Sequence, residues 1–305
     1  MKKKTIIAAA SGFALLVLIT IVAVALHQGG QPAPSASKKI KVVAAENFWG
    51  NIAAQIGGDH AEVTSLINDS SADPHLYESG AKDASALGAA DIVIINGLGY
   101  DDFMNKLISA APNNKRIVIN VSNVLRAKEG DNPHLWYDVN RVSIVATEIM
   151  QKLADKDAPN ADSYRANFST FLTQLIPMLD TLQSIRSSYP QVPVAYTERL
   201  PGYLLASAGL TNLTPAGFAS AIENGNEPSP ADQAAMLSLL STQQIKVLFY
   251  NAQADSPAAA AIKNAAEKYK VKVVAITETI PSSYSTYQAW QQAQIMQLKQ
   301  ALEAK

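Results

Sequence analysis

Two short stretches of the chain set a histidine in the same local frame. Asp73-Pro74-His75-Leu76-Tyr77 and Asn132-Pro133-His134-Leu135-Trp136 both run polar, Pro, His, Leu, aromatic. Only four histidines occur in 305 residues, at positions 27, 60, 75 and 134, so a frame shared by two of them carries information. Proline fixes its own φ and pushes the residue before it out of the helical region, so each imidazole is offered from a stiff, non-helical turn. A lone Pro-His is usually a turn or core histidine bonded to nearby backbone. A matched pair points instead to metal ligation, because imidazole is the commonest nitrogen ligand for Zn, Mn, Cu and Fe.

The elements that must hold these turns follow from the apolar pattern. Ile40–Ala44 reads as a strand, and Phe48, Ile52 and Ile56 mark a helix stopped by Gly57-Gly58. Glu62–Ile67 is the next strand and leads into the loop of His75, followed by a helix through Ala81, Ala84 and Leu87. Asp91–Asn96 is an apolar run of the kind buried on both faces of a sheet, Arg116–Val121 repeats the type, and the loop after it carries His134. Val142, Val145, Ile149 and Leu153 then predict a helix. Apolar residues from Tyr164 to Ile185 step by three or four and predict a longer one, with Pro177 inside it as the expected point of a kink or break.

A second round of alternation follows. Pro193–Glu198, Lys246–Asn251 and Val271–Ile276 read as strands, with helices at Ala231–Leu240 and Pro257–Tyr269 between them. The expected fold class is α/β: two lobes, each a parallel-type sheet covered by helices, joined by one long connecting helix, with the site in the cleft between them. The expected division is 1–37 as a signal peptide or membrane anchor with a flexible linker, 38–158 as the N-terminal lobe, 159–189 as the connecting helix and 190–305 as the C-terminal lobe. In open α/β sheets ligands collect at the carboxyl ends of the strands. Glu198 and Glu278 hold that position in the second lobe as the histidine loops do in the first, which completes a candidate site of two imidazoles and two carboxylates. Asn251 and Gln253 are candidates for holding those carboxylates, and an ordinary strand-end turn is the other reading. His60 reads as a surface-turn histidine, and Glu223 and Glu227 as part of a surface loop with no assigned role.

Composition narrows the partners. Three lysines precede Thr5–Leu26, 22 residues without a charge, which reads as a secretion signal or an uncleaved N-terminal anchor and places the body outside the cytoplasm. Without residues 1–37 the chain carries 22 basic against 26 acidic residues, about −4, which argues against nucleic acid. The chain has no cysteine, so disulfides, thiolate ligands and a catalytic thiol are excluded, and the expectation drawn from this is that the protein is not a lipoprotein.

From Ile40 onward the sequence resembles the metal-binding solute-binding proteins of bacterial ABC importers for zinc and manganese. The likeness rests on the two Pro-His motifs with Tyr77-Glu78 and Trp136, on Asn47–Gly58, on Asn96-Gly97, and on Glu198 ahead of Gly202-Tyr203. It implies that His75 and His134 each supply a ligand and that Glu198 is the third. The fourth is usually an aspartate after the last strand; here that place falls on Thr277 or Glu278, and Glu278 is the one able to ligate as a carboxylate. The histidine- and acid-rich loop of many zinc-specific members is missing, and two imidazoles with two carboxylates suit Mn²⁺ as well as Zn²⁺. The resemblance therefore implies one divalent ion, Zn²⁺ or Mn²⁺, carried as transported ligand by a monomer that is not an enzyme and that docks on a membrane permease. The competing readings are a metal-dependent hydrolase, for which neither a His-Glu-x-x-His nor a Gly-x-Ser-x-Gly motif is present, and a surface adhesin whose metal is structural.

Overall fold

A computed structural model describes residues 38–68, 77–254 and 256–304. Asp73, Pro74 and His75, like the apolar run 5–26, lie outside the described residues. Among the described residues no helix is long and apolar enough to cross a membrane.

The first sheet contains β1 (Ile40–Glu46), β2 (Ala61–Ile67), β3 (Ile92–Ile95) and β4 (Ile117–Asn120), all parallel, in the order β2-β1-β3-β4. The second contains β5 (Pro193–Tyr196), β6 (Thr211–Asn212), β7 (Val247–Asn251) and β8 (Lys272–Ile276), also parallel, in the order β6-β5-β7-β8. The two sheets thus repeat one topology, and each has its switch point between its first and third strands. In open α/β sheets ligands bind at such switch points, outside the carboxyl ends of the strands.

Local chemistry accounts for most elements. β3 is Ile-Val-Ile-Ile, wholly buried, as befits a β-branched run between two neighbours. α1 (Asn47–Gly57) buries Phe48, Ile52 and Ile56 and ends at Gly58, whose φ of 51° and close approach to the Asn167 side chain leave no room for a Cβ. Of the connecting helices, α2 (Ala81–Gly88), α3 (Asp102–Ala110), the single turn α4 (Val121–Val124) and α5 (Val139–Lys156) belong to the first half of the chain. α6 (Ala161–Ser188) is the long helix, and it runs through Pro177 without interruption. In the second half come α7 (Gly202–Ser207), α8 (Ala216–Glu223), α9 (Pro230–Ser241), α10 (Pro257–Lys268) and α11 (Tyr287–Glu303). Ser229, Ser256 and Thr286 cap α9, α10 and α11 by accepting a backbone N–H three residues on.

One expectation is corrected here. β4 is not buried on both faces like β3: it is an edge strand, paired with β3 alone among the described strands, and Val118 is 43% exposed. The two-residue β6 is too short and polar to leave a signal in the sequence.

A single hydrophobic cluster joins Ile40, Phe48, Trp49 and Ile94 of the first half to Val194, Val247, Phe249 and Trp290 of the second, through Tyr164, Phe171, Leu175, Met178, Leu182 and Ile185 of α6. The long helix is therefore packed along its inner face against both halves. Phe168 alone of the predicted stripe is only partly buried. Residues of both sheets share this cluster, and loops beyond their carboxyl ends are joined by the hydrogen bonds of Tyr100 to Glu278 and Asn132 to Arg199.

Candidate functional site

His134 is fully buried at the end of the loop leaving β4. Its ring lies edge-on to Tyr100, with centroids 5.9 Å apart, and to Trp136 at 5.3 Å. The Nδ1 atom is 2.6 Å from Asn132 Oδ1. A carbonyl oxygen only accepts, so the neutral ring carries its proton on Nδ1 and its lone pair on Nε2. The turn before it is fastened by Asn96, whose side-chain amide donates to the Pro133 carbonyl at 2.9 Å and accepts from the Trp49 indole at 3.1 Å.

Glu198 and Glu278 approach from the second sheet. Glu198 lies two residues past β5 and Glu278 two past β8, and both are buried. The strand that separates β5 from β8 is β7, and its last residue, Asn251, donates through one Nδ2 to Glu198 Oε2 and to Glu278 Oε1, each at 3.0 Å. A single amide thereby bridges two carboxylates that would otherwise repel. Glu278 Oε2 also accepts from the Tyr100 hydroxyl at 2.9 Å. Tyr100 therefore touches His134 on one side and Glu278 on the other, linking the first sheet's loops to the second's. Gln253 Oε1 accepts from the backbone N–H groups of Glu278 and Thr279 at 2.7 and 3.0 Å, which fixes the turn that presents Glu278.

Thr277 points elsewhere. Its Oγ1 accepts from the Trp290 indole at 2.8 Å, its N–H donates to Gln294 at 3.0 Å, and its carbonyl accepts from Tyr137 at 2.7 Å. Burial pushes the Tyr137 hydroxyl well above its ordinary range, with the nearby Glu278 charge adding to it, so it stays a neutral donor.

Of the four residues singled out by sequence, His134, Glu198 and Glu278 thus join one hydrogen-bonded and aromatic network, while His75 lies outside the described residues. No group of three or more His, Cys, Asp or Glu that could hold a metal ion occurs among the described residues alone. From the first motif, Tyr77 donates to Asp83 at 2.9 Å and packs on Phe103, and burial raises its hydroxyl to about 12. His60 sits in a short 3₁₀ turn, edge-on to Tyr164. Glu223 is corrected from a surface-loop residue: its side chain is buried, and its carboxylate accepts two hydrogen bonds of 2.7 Å from Arg199, the residue after Glu198. Sequence reasoning missed Tyr100, a single polar residue with no periodicity to mark it, and took Asn132 only as the polar residue of the Pro-His frame without a role of its own.

It also missed Glu46. This residue ends β1 at the first sheet's switch point, is wholly buried, and has no hydrogen-bond partner for either carboxyl oxygen among the described residues. Burial, and then the charge of Asp101, raise it well above the usual carboxylate range. Asp101 is raised by burial too, although its oxygens accept from the N–H groups of Asn96 and Gly97. For a raised carboxylate the stability is intact below the unfolded-state value of about 4.5 and declines as pH climbs toward the folded-state value, by up to about 1.4 kcal/mol per pH unit for one proton. Glu46→Gln removes that proton. In urea titrations of metal-free protein, variant and wild type are expected to agree near pH 4.5, with the variant gaining relative to wild type as pH rises above that value; parallel profiles would show that Glu46 is ionised in the folded protein.

The family described as zinc-uptake complex component A, periplasmic, matches residues 42–301. A manganese-binding lipoprotein of Halalkalibacterium halodurans is 26% identical over 157 residues, covering 50% of this chain and 51% of the relative. A manganese ABC transporter substrate-binding lipoprotein of Streptococcus pneumoniae is 24% identical over 245 residues, covering 74% and 76%. The chain thus spans about half the length of the first and three quarters of the second. Among solved structures, the periplasmic zinc-binding protein of Treponema pallidum superposes with a TM-score of 0.75 at 19% identity, over 88% of this chain and all of that one. A solute-binding protein of Pseudomonas aeruginosa in complex with Mn²⁺ gives 0.72 at 23% identity, over 87% and 99%. These two establish the two-sheet fold. The curated relatives also correct one expectation: they are named as lipoproteins, so the exclusion of that class is withdrawn. Cysteine content speaks only for the thiols of these 305 residues and does not set the chain apart from a class of lipid-tethered relatives.

Proposed function

The chain belongs to the family of the periplasmic zinc-uptake component, and on that premise we propose that it captures one divalent transition-metal ion, Mn²⁺ or Zn²⁺, outside the cytoplasm and delivers it to an ABC permease. The observation that carries this reading is the single Asn251 amide holding Glu198 and Glu278 together, while Tyr100 ties Glu278 to the ring of His134. With His75, those residues are the proposed ligands: two imidazole nitrogens from loops of the first sheet and two carboxylates from loops of the second. Four protein ligands leave no position for a reacting water, which suits a holding site and not a hydrolytic one. The functional division follows the lobes 38–158 and 190–305 about the helix 159–189, and the protein acts as a monomer without nucleic acid.

The ion is cargo. A site with two carboxylates is hard enough for Mn²⁺, although at equal supply the Irving–Williams order favours Zn²⁺. Chelator-stripped protein titrated with each metal is expected to take up one ion per chain with submicromolar affinity, and its circular dichroism is expected to be the same with and without metal. Failure to bind either metal at micromolar supply, or unfolding on stripping, would defeat the proposal.

Glu278→Gln and Thr277→Ala discriminate between the two neighbours. The first is expected to weaken binding by about 10- to 100-fold, ~1.4–2.8 kcal/mol, since it replaces a charged ligand with a neutral one. The second removes an acceptor that faces Trp290 and is expected to stay within a few-fold of wild type. The reverse order in a competition titration would move the ligand to Thr277.

A further inference from the structure

We propose that Asn132 is a positioning residue that fastens the His134 imidazole to the loop carrying Glu198, so that the two sheets' contributions to the site are set by one side chain. The inference rests on the metal-capture reading above and adds to it a residue outside the ligand set. Asn132 makes hydrogen bonds in both directions. Its Oδ1 accepts from the His134 backbone N–H at 3.1 Å and lies 2.6 Å from His134 Nδ1, while its Nδ2 donates to the Arg199 carbonyl at 2.7 Å. Its own carbonyl accepts from the Tyr203 hydroxyl at 2.9 Å.

The partners fix which end of the amide is which. A backbone N–H can only donate and a backbone carbonyl can only accept, so oxygen must face His134 and nitrogen must face Arg199. Asparagine is thus required in full: its acceptor selects the Nδ1–H tautomer, and its donor reaches across to the residue next to Glu198. Orienting partners of this kind commonly set the affinity of a metal site as strongly as a ligand does.

The receiving side is built to match. Gly202 opens α7, and a Cβ there would lie 2.7 Å from Asn132 Nδ2. Any larger residue would displace the amide from Arg199. The Arg199 guanidinium is itself held by both oxygens of the buried Glu223, which pins the backbone that presents Glu198.

Three variants of the purified full chain separate the two halves of the clasp. Asn132→Ala loses both; Asn132→Asp keeps the acceptor toward His134 and loses the donor; Gly202→Ala keeps Asn132 but crowds it. The probes are Mn²⁺ and Zn²⁺ affinity by chelator competition, metal release by stopped flow, and the ¹⁵N imidazole shifts of His134 in metal-free protein. Asn132→Ala is expected to weaken affinity by about 10- to 100-fold and to shift His134 toward the Nε2–H tautomer. Asn132→Asp is expected to retain the Nδ1–H tautomer yet release metal several-fold faster, and Gly202→Ala to resemble it. If Asn132→Ala binds within twofold of wild type with its tautomer unchanged, the inference is overturned. If release from Asn132→Asp and Gly202→Ala matches wild type, the link between the sheets is overturned. Failure of wild type to bind either metal would instead strike the capture reading, and the tautomer measurement, which needs no metal, keeps the two failures apart.

Discussion

His134→Ala is expected to lower affinity for Mn²⁺ and Zn²⁺ by about a thousandfold, ~4 kcal/mol, while His60→Ala leaves it unchanged. The reasoning is geometric. The His134 ring is fully buried, its proton is committed to Asn132, and the remaining nitrogen is aligned by Tyr100 and Trp136, so no nearby group can substitute for it. His60 packs on Tyr164 beside α1 and takes no part in the network of Asn251 and Tyr100. Competitive titration with a fluorescent chelator measures both variants, and circular dichroism of the metal-free proteins separates lost ligation from lost fold. Equal losses in the two histidine variants would remove the special position given to His134.

Trp136→Ala is expected to cost about 3–5 kcal/mol of folding stability, lowering the melting temperature by roughly 10 °C. Trp136 is among the largest side chains in the core and fully buried. It stacks on Phe48 with centroids 4.0 Å apart and planes 19° from parallel, and leans on Tyr100 at 4.9 Å, contacts that add to the burial of its area. Its backbone carbonyl accepts from the buried Tyr287 hydroxyl of α11 at 2.6 Å, so the residue also joins the C-terminal helix to the histidine loop. Trp136→Phe keeps the stack and removes an indole N–H with no hydrogen-bond partner among the described residues, so it is expected to cost less than half as much. Thermal melts of both variants without metal test this; a small loss for Trp136→Ala would mean that the shared core tolerates a cavity at its centre.

The parts of the fold carried by repeated apolar residues are legible in the sequence. β3, α1 and the long α6 declare themselves through period and β-branching, because burial on one or both faces demands those residue types. The continuity of α6 through Pro177 was legible only in part: the apolar step predicts one helix across 159–189, but the proline leaves a kink or break open, because the sequence shows the missing N–H and not the packing on both halves. Val118 misled for a related reason, since a run of Ile and Val looks alike in an edge strand and a central one.

The site divides in the same way. His134 and the strand-end carboxylates stood out through a rigid frame and a topological position. Asn251 was visible as the residue ending a buried strand, but its bridge to both carboxylates depends on the order β5-β7-β8, which only tertiary structure sets. Tyr100 and the donor end of Asn132 act through partners distant in sequence, Tyr100 on Glu278 across 178 residues and Asn132 on Arg199 across 67, and no local pattern announces such a contact.

The central claim is that one metal ion sits where the loops of the two sheets meet. Crystals of the metal-loaded protein, with anomalous diffraction recorded at the absorption edge of manganese or zinc, test it directly. The account predicts a single strong peak about 2.0–2.2 Å from His134 Nε2 and from carboxylate oxygens of Glu198 and Glu278. A peak elsewhere in the molecule, or metal-loaded crystals whose peak touches none of these three residues, would contradict it.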